Sequence, residues 1–297
     1  MTSSSTSQAS CVAFIGAGLI GGSLAQAMAT RGDHDRIVVY NRTRQKAEEL
    51  DGVEVADSVA DAARAADTFV HITMSEDDAL DAVLSDEELL DVLSERDVIL
   101  IDHTTASPQG TTRRQERLAA RGIQMVHAPV FMSPAACLDA QGVMIASGPS
   151  ELIEQVRDHL AAMTGEFIDL GERVDAAASY KLFGNALIIS LTGAMADVYT
   201  MAEQMGFSRK EAFKLIGFFT PGNTLKGRGK RMAEEDYSTS FEVSMARKDV
   251  RLMIEAAGEQ GDALITLPAV AARLDALIER GHGDEDLGAI ARQFKKS

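Results

Sequence analysis

Short apolar runs alternate with longer mixed segments along the first part of the chain, as far as residue 171. The runs are rich in β-branched residues and are bounded by polar or glycine-containing segments. This is the pattern of buried strands in a parallel sheet. The runs predicted as strands are 12–15, 37–40, 68–72, 98–101, 124–127 and 143–146.

The segments between these runs have the spacing of apolar residues that is typical of helices. Strand and helix in alternation predict an α/β domain with a mostly parallel, doubly wound sheet. The predicted helices of this part are 21–31, 43–50, 77–84 and 109–121.

After residue 171 the strand-like runs disappear and helical segments continue to the end. The longest, 175–206, is apolar on most of its faces, so we expect it in a core or between packed subunits. We therefore predict an α/β domain over 1–172 and an all-α domain over 173–297, led by a long interdomain helix. Further helices are predicted at 208–217, 225–235, 245–260, 267–280 and 285–294.

Composition agrees with two soluble domains. A chain of 297 residues is longer than one core usually supports. Its content of 45% hydrophobic and 25% charged residues is ordinary for a globular protein. No uncharged apolar stretch reaches the roughly 18 residues of a membrane span. Residues 2–10 lack the basic start and apolar middle of a signal peptide, so we expect a short disordered tail and a cytoplasmic protein.

The formal net charge of −16 argues against nucleic acid as a partner, because phosphate backbones select basic surfaces. An anionic ligand must then be held by local basic groups and backbone dipoles. The two cysteines, Cys11 and Cys137, lack metal-ligand spacing and are expected to be reduced structural thiols. The histidines show no metal-like pattern either, so no metal is expected.

A glycine-rich segment follows the first predicted strand and opens the first helix. Residues 16–21 read Gly-Ala-Gly-Leu-Ile-Gly and fit G-x-G-x-x-G. In this context the glycines make a tight turn, let a pyrophosphate approach the backbone, and allow close packing of helix on strand. The helix N-terminus adds free N–H groups for the phosphates. We predict a Rossmann-type cofactor site at Gly16, Ala17, Gly18, Leu19 and Ile20.

The second strand is followed by Asn41, Arg42 and Thr43, where an NAD-selective site usually has a carboxylate. A carboxylate would repel a 2′-phosphate, whereas a guanidinium and a hydroxyl can hold one. These three residues therefore favour NADP(H) over NAD as the cofactor.

Two further segments, "DHTTASPQGTTR" (102–113) and "SYKLFGN" (179–185), complete a family pattern. Together with the glycine loop they resemble the β-hydroxyacid dehydrogenases, which include 3-hydroxyisobutyrate dehydrogenase and 6-phosphogluconate dehydrogenase. The resemblance covers nearly the whole chain, including "FEVSMARKDVRLM" (241–253), which is similar to the C-terminal Lys-Asp segment of the family.

The resemblance implies roles for individual residues. Lys181 and Asn185 match the ends of the family's K-x-x-N-N, in which the lysine transfers a proton and the asparagine helps to hold the substrate. Thr104 belongs to the match of D-x-S-T-x-x-P, a segment near the nicotinamide and the substrate. The resemblance also implies a substrate contact at Ser133 and cofactor contacts at Thr73, Met74, Thr104 and Lys248.

The chain departs from the family pattern in three places. Gly184 stands where the family has the first asparagine of K-x-x-N-N. The usual carboxylate-binding S-G-G after "PV" is replaced by Phe131-Met132-Ser133, and M-L-P is replaced by Met74-Ser75-Glu76. The first two differences affect the substrate, while the cofactor motifs are intact.

A lysine suits the proposed chemistry because hydride transfer also requires a proton to move on or off the substrate oxygen. The free side chain has a pKa near 10.4, so it is a ready acid but a poor base. Burial and a neighbouring cation such as Lys248 would lower that pKa. Lys181 and Asn185 are four residues apart, so a helix presents both on one face.

The sequence thus predicts an NADP(H)-dependent oxidoreductase that interconverts a small 3-hydroxy acid and its semialdehyde, with Lys181 moving the proton. One alternative is a reductase of glyoxylate, of a semialdehyde or of an imine. Another is a non-catalytic sensor or scaffold that binds NADPH. The expected partner besides the small carboxylic acid is a second copy of the chain, because the long apolar helix needs covering, in a homodimer or homotetramer.

Overall fold

The structure is a computed structural model in which residues 10–293 are described. Most of the predicted N-terminal tail lies outside these residues. The chain divides into two compact units, Met1–Asn185 and Ala186–Ser297. The division falls inside the long helix rather than before it, because the first turns of that helix pack with the first unit. The two units are described in turn.

The first unit is built on a sheet of six parallel strands. They are β1 Cys11–Ile15, β2 Arg36–Tyr40, β3 Glu54–Val55, β4 Phe69–Ile72, β5 Ile99–Asp102 and β6 Gln124–His127. Their spatial order is β3-β2-β1-β4-β5-β6. The winding reverses between β1 and β4, and the carboxyl ends of the strands at such a point form a crevice in which ligands bind. The predicted doubly wound parallel sheet is confirmed.

A second, smaller sheet contains β7 Val130–Phe131, β8 Val143–Ala146 and β9 Glu166–Asp169. β7 pairs antiparallel with β8, and β8 pairs parallel with β9. The predicted strand 143–146 is present as β8, but it pairs with these two strands and not with the main sheet. β7 was not predicted, since two residues are too short for a periodic signal.

Helices cover both faces of the main sheet, and a buried apolar cluster lies on each face. Several begin at a side-chain cap; Ser107, for example, accepts a bond from the amide of Gly110 and is followed by a proline. The helices are α1 Leu19–Arg31, α2 Gln45–Glu48, α3 Val59–Ala65, α4 Asp77–Val83, α5 Glu87–Glu95, α6 Pro108–Ala119, α7 Pro134–Leu138, α8 Ser150–Ala161 and the long α9 Ala176–Gln204.

The second unit is helical, as predicted. After the later turns of α9 come α10 Arg209–Phe213, α11 Pro221–Ala233, α12 Val243–Ala256 and α13 Leu267–Glu279. Its core lies between α12 and α13, where Val243, Leu274 and Leu277 are fully buried. The predicted helix at 285–294 is instead a short 3-10 turn, Leu287–Ala291.

The middle of α9 is exposed within the chain, although its sequence is apolar. Phe183, Leu187 and Ile188 are each more than half exposed, and Ile189 is 71% exposed. Among the described helices, α9 is long and apolar enough to cross a membrane by length and composition alone. The same properties are found in helices that pack against another protein chain.

Both cysteines are free and buried. Burial raises the pKa of each thiol, that of Cys137 to about 11. The expectation of reduced structural thiols agrees with this environment.

Candidate active site

Two positions of the loop after β1 must be glycine, because other backbone atoms lie too close to leave room for a side chain. Gly16 has a φ of +104°, and a Cβ on it would lie 2.2 Å from the carbonyl oxygen of Thr73. A Cβ on Gly21 would lie 2.1 Å from the carbonyl oxygen of Gly16. Any side chain at either position would therefore force the loop, the start of α1 and the end of β4 apart.

Gly18, in contrast, faces open space. A Cβ there would meet nothing within 4 Å, and no side chain caps the first turn of α1, which begins at the next residue. The free amides of a helix start and the partial positive charge of its dipole are the groups that bind phosphate. The loop thus fits the pyrophosphate of a dinucleotide. Beside it, Leu19 is exposed and Ile20 turns toward the cavity described below.

The end of β2 is joined to this loop. The amide of Ala17 donates to Oδ1 of Asn41 at 2.9 Å, and the side-chain amide of Asn41 donates to the carbonyl oxygen of Thr43 at 2.8 Å. Arg42 is exposed and makes no ion pair or hydrogen bond within residues 10–293. Its guanidinium is therefore free to bind an anionic group beside the loop.

A cavity of about 160 Å³ opens beside the glycine loop, at the carboxyl ends of β4 and β5. Its wall combines apolar side chains with hydroxyl groups, one imidazole and one amine. It is lined by Ile20, Thr73, Met74, Ser75, His103, Thr105, Val130, Met132 and Lys181. The structure therefore brings Lys181 together with Ile20, Thr73 and Met74 of the predicted site.

Thr104 is not among the residues that line the cavity, and its predicted ligand contacts stay a prediction. Its side chain is fully buried, and its hydroxyl accepts a hydrogen bond of 3.0 Å from the amide of Met74. Its own amide donates to Oδ1 of Asp102 at 2.9 Å. The geometry thus favours a role for Thr104 in holding the Met74 loop, while the next residue, Thr105, is exposed and lines the cavity.

Lys181 is half-buried in the second turn of α9. Its Nζ donates to the carbonyl oxygen of Val130 at 2.7 Å and lies 4.3 Å from the ring centroid of Phe131. Burial lowers the pKa of the amine below its ordinary value of 10.5. An ammonium has three N–H donors, so this arrangement leaves donors for a group in the cavity.

The remaining predicted residues lie elsewhere. Ser133 caps α7, where its Oγ accepts from the amide of Ala136, and it does not line the cavity. Asn185 follows Lys181 by one turn and is half-buried. Lys248 belongs to the second unit and pairs with Asp249 at 2.9 Å. Ligand contacts at these positions stay predictions.

Sequence reasoning missed a row of buried imidazoles behind the cavity. Nδ1 of His71 lies 2.9 Å from Nε2 of His103, and Nε2 of His71 lies 2.9 Å from Nε2 of His159. Nδ1 of His103 lies 2.6 Å from the carbonyl oxygen of Ala128, so it must carry the proton. If all three rings are neutral, each of the two hydrogen bonds between imidazoles then has one N–H donor and one unprotonated acceptor nitrogen. Burial lowers the pKa of all three, that of His159 to about 3.

These imidazoles do not form a metal site. Within residues 10–293, no group of three or more His, Cys, Asp or Glu side chains is arranged to hold a metal ion. His103 and His71 are 32 residues apart and His159 and His71 are 88 apart, so no local motif could have indicated the row.

Two family models match consecutive parts of the chain. The NAD binding domain of 6-phosphogluconate dehydrogenase matches residues 11–171. The model described as NAD-binding of NADP-dependent 3-hydroxyisobutyrate dehydrogenase matches residues 176–294. Between them they cover nearly all of the chain.

Individual proteins are similar over the same length. Glyoxylate/succinic semialdehyde reductase 1 of Arabidopsis thaliana is 25% identical, covering 96% of this chain and 99% of that protein. The 3-sulfolactaldehyde reductase of Escherichia coli is 24% identical over 96% of both chains. Among solved structures, an imine reductase from Myxococcus stipitatus in complex with NADP+ has a TM-score of 0.85 at 21% identity, covering 96% of this chain and all of that one. This last likeness shows a shared fold.

Proposed function

The chain belongs to the β-hydroxyacid dehydrogenase family and is an NAD(P)-dependent oxidoreductase; we propose that it interconverts a small 3-hydroxy acid and its semialdehyde. The observation that carries the proposal is the place of Lys181. Its amine lies in the wall of the cavity that begins beside the glycine loop, together with Thr73 and Thr105. A proton donor beside a nucleotide-binding loop is the arrangement that carbonyl reduction requires. The names of the two similar reductases support an aldehyde substrate.

In the proposed reaction the bound nicotinamide supplies or accepts a hydride. The residues of the chain do the rest. Gly16, Gly18 and the first turn of α1 would hold the pyrophosphate, and Arg42 the 2′-phosphate of NADP. In the direction of reduction, Nζ of Lys181 donates a proton to the carbonyl oxygen as the hydride reaches the carbonyl carbon. In oxidation the neutral amine accepts the hydroxyl proton.

The contacts of Lys181 favour the protonated amine, which is the form that reduction requires. The carbonyl oxygen of Val130 and the ring of Phe131 both face the amine, and both interact more strongly with an ammonium than with a neutral amine. This observation supports the alternative of a reductase of glyoxylate or a semialdehyde. An imine substrate would use the same donor, with the proton delivered to nitrogen.

Steady-state assays in both directions test the proposal. The panel contains 3-hydroxy acids, their semialdehydes, glyoxylate and cyclic imines, each with NADPH or NADP+. We expect Lys181→Met, which keeps the length of the side chain, to lower kcat by about 10²–10⁴. The dissociation constant for NADPH should stay unchanged, and the exposed Lys210→Met is the matched control. NADPH binding without turnover of any compound by the wild type would instead support a sensor or scaffold.

We also propose that a second copy of the chain covers the exposed face of α9. Residues 182–196 carry no charge. On either side of this stretch the same helix has a charged residue in a defined place: Lys181 lines the cavity, and the carboxylate of Asp197 accepts hydrogen bonds from the backbone amides of Ile265 and Thr266. These anchored ends suit a subunit interface better than a lipid environment. In sedimentation experiments we expect the wild type to be a dimer or tetramer and Ile189→Glu to be a monomer. A wild type that is itself monomeric would refute this proposal. The cytoplasmic location stays a prediction.

A further inference from the structure

We infer that Phe131 and Gly184 act as one unit that positions the amine of Lys181, an inference that rests on the proposed role of that amine as the proton donor. Phe131 supplies a ring face beside the amine. Gly184 supplies the space that the ring occupies. These are the positions of two of the three departures from the family pattern, so both departures belong to one structural feature.

The first part of the argument is the surroundings of Nζ. Val130 and Phe131 are consecutive residues of β7, and they contact the amine with different groups. The carbonyl oxygen of Val130 accepts at 2.7 Å, and the ring centroid of Phe131 lies 4.3 Å away. A cation at this distance from a ring is attracted by its quadrupole. Two consecutive residues of one short strand thus restrict the position of the amine from two sides.

The strand itself is fixed by the second sheet. Val130 pairs with Met144, and Phe131 pairs with Val143. The backbone of Phe131 therefore has a defined place, and the direction of its ring depends on what lies around it.

The second part of the argument is the space at Gly184. This residue lies in α9, three positions after Lys181, so both face the same side of the helix. A Cβ on Gly184 would lie 2.4 Å from Cε1 and from Cζ of Phe131. Even an alanine would therefore require the ring to move away from its place beside the amine. A helix interior normally disfavours glycine, by about 1 kcal/mol relative to alanine, so its presence here fits a need for space.

The experiment is a double-mutant cycle with Phe131→Ala, Gly184→Ala and the combined variant. The readout is kcat for carbonyl reduction, with KM measured beside it. We expect Gly184→Ala to lower kcat about tenfold, in keeping with loss of the ring–cation contact, while KM changes less. In the Phe131→Ala background the same glycine substitution should have no effect, because no ring is left to displace. Gly229→Ala is the matched control, since that helical glycine has nothing within 4 Å of a Cβ.

A second pair of variants separates the ring face from its bulk. Phe131→Tyr keeps the aromatic face and should retain nearly full kcat. Phe131→Leu keeps much of the volume without the face and should lose about as much as Phe131→Ala. Equal activity of the tyrosine and leucine variants would overturn the inference, as would a Gly184→Ala effect of the same size with and without Phe131. This pair keeps the test decisive if an alanine variant folds poorly.

A readout without turnover keeps this inference separate from the proposed function. Acetic anhydride labels lysines in the protein without cofactor, and mass spectrometry gives the rate at Lys181. We expect Gly184→Ala to raise that rate in the wild-type background and to leave it unchanged in Phe131→Ala. If this coupling appears but Lys181→Met is fully active, the proposed function fails and the positioning stands. If Lys181 is essential but the labelling shows no coupling, the positioning fails alone.

Discussion

The amide of Ala17 donates a 2.9 Å hydrogen bond to the side-chain oxygen of Asn41, which connects the phosphate-binding loop to the end of the second strand. Asn41→Asp keeps the acceptor but brings a negative charge beside Arg42. We expect this variant to lose affinity for NADPH through repulsion of the 2′-phosphate and to bind NADH at least as well as the wild type. Fluorescence titration of both cofactors measures the change. An equal loss of affinity for NADPH and NADH would mean that the substitution acts by disturbing the loop and not by repelling the 2′-phosphate.

Arg42→Ala tests cofactor preference from the other side. The guanidinium makes no ion pair within residues 10–293, so its removal should leave the fold unchanged. We expect the free energy of NADPH binding to weaken by about 1–3 kcal/mol, the size of a lost charged hydrogen bond, with NADH little affected. Calorimetric titration with each cofactor decides this. Arg44→Ala, which loses pairs with Glu48 and Asp57, is a neighbouring control.

Two glycines of the loop should respond differently to alanine. Gly18→Ala places a methyl group in open space, so the melting temperature should stay the same while cofactor affinity falls. Gly21→Ala forces a methyl group to 2.1 Å from the carbonyl oxygen of Gly16, and we expect a loss of stability of about 1–3 kcal/mol. Thermal unfolding with and without NADPH separates the two effects. Unaltered NADPH binding by Gly18→Ala would place the pyrophosphate elsewhere.

The rate of reduction should depend on pH through Lys181. Burial lowers the pKa of this amine from 10.5, and reduction needs the protonated form. The kcat/KM for reduction should therefore fall as pH rises through a value below 10.5, and the rate of oxidation should rise over the same range. Lys181→Met should remove this dependence. A profile that stays flat up to pH 10.5 would show that another group donates the proton.

The buried imidazoles predict a loss of stability in mild acid. His71, His103 and His159 have pKa values lowered by burial, whereas the unfolded chain protonates them near 6.5. Below that pH the unfolded state binds more protons than the folded state, so the free energy of unfolding is highest above about pH 6.5 and falls as the pH drops. Each histidine contributes at most about 1.4 kcal/mol per pH unit.

Urea unfolding between pH 7.5 and pH 5 measures this slope. His159→Phe removes one of the three groups and keeps a ring stacked on Phe69, so its slope should be shallower than that of the wild type. The carboxylates titrate mainly at lower pH, so they interfere little in this range. A variant with the wild-type slope would contradict the prediction.

The parts of the fold that the sequence predicted are those with local signals. The glycine loop, α9 and the strands of the main sheet other than the two-residue β3 each have a pattern within a short window of residues. The helices α3, α5, α7 and α8 were not predicted, although α5 and α8 have apolar residues at helical spacing, so for these two the local signal was present and was overlooked. The short β7 was missed because it is defined only by its pairing with β8.

The site was predicted less completely, because its contacts join distant parts of the chain. Lys181 and the loop residues were found from motifs. Either Thr104 or Thr105 could line the cavity, depending on which of the two side chains points outward after β5. Two neighbouring threonines give no sequence signal that separates the buried one from the exposed one. Likewise, Gly184 and Phe131 are separate departures in the sequence, and only the fold places the ring of Phe131 against Gly184.

The buried state of Cys11 and Cys137 has a practical consequence for the experiments above. Thiol reagents attack the thiolate, which both native residues rarely form. A cysteine placed at an exposed position of α11 should then be the single site that a maleimide dye modifies. With a second exposed cysteine placed in the first unit, the chain can therefore carry one label in each unit for distance measurements, without first removing either native sulfur.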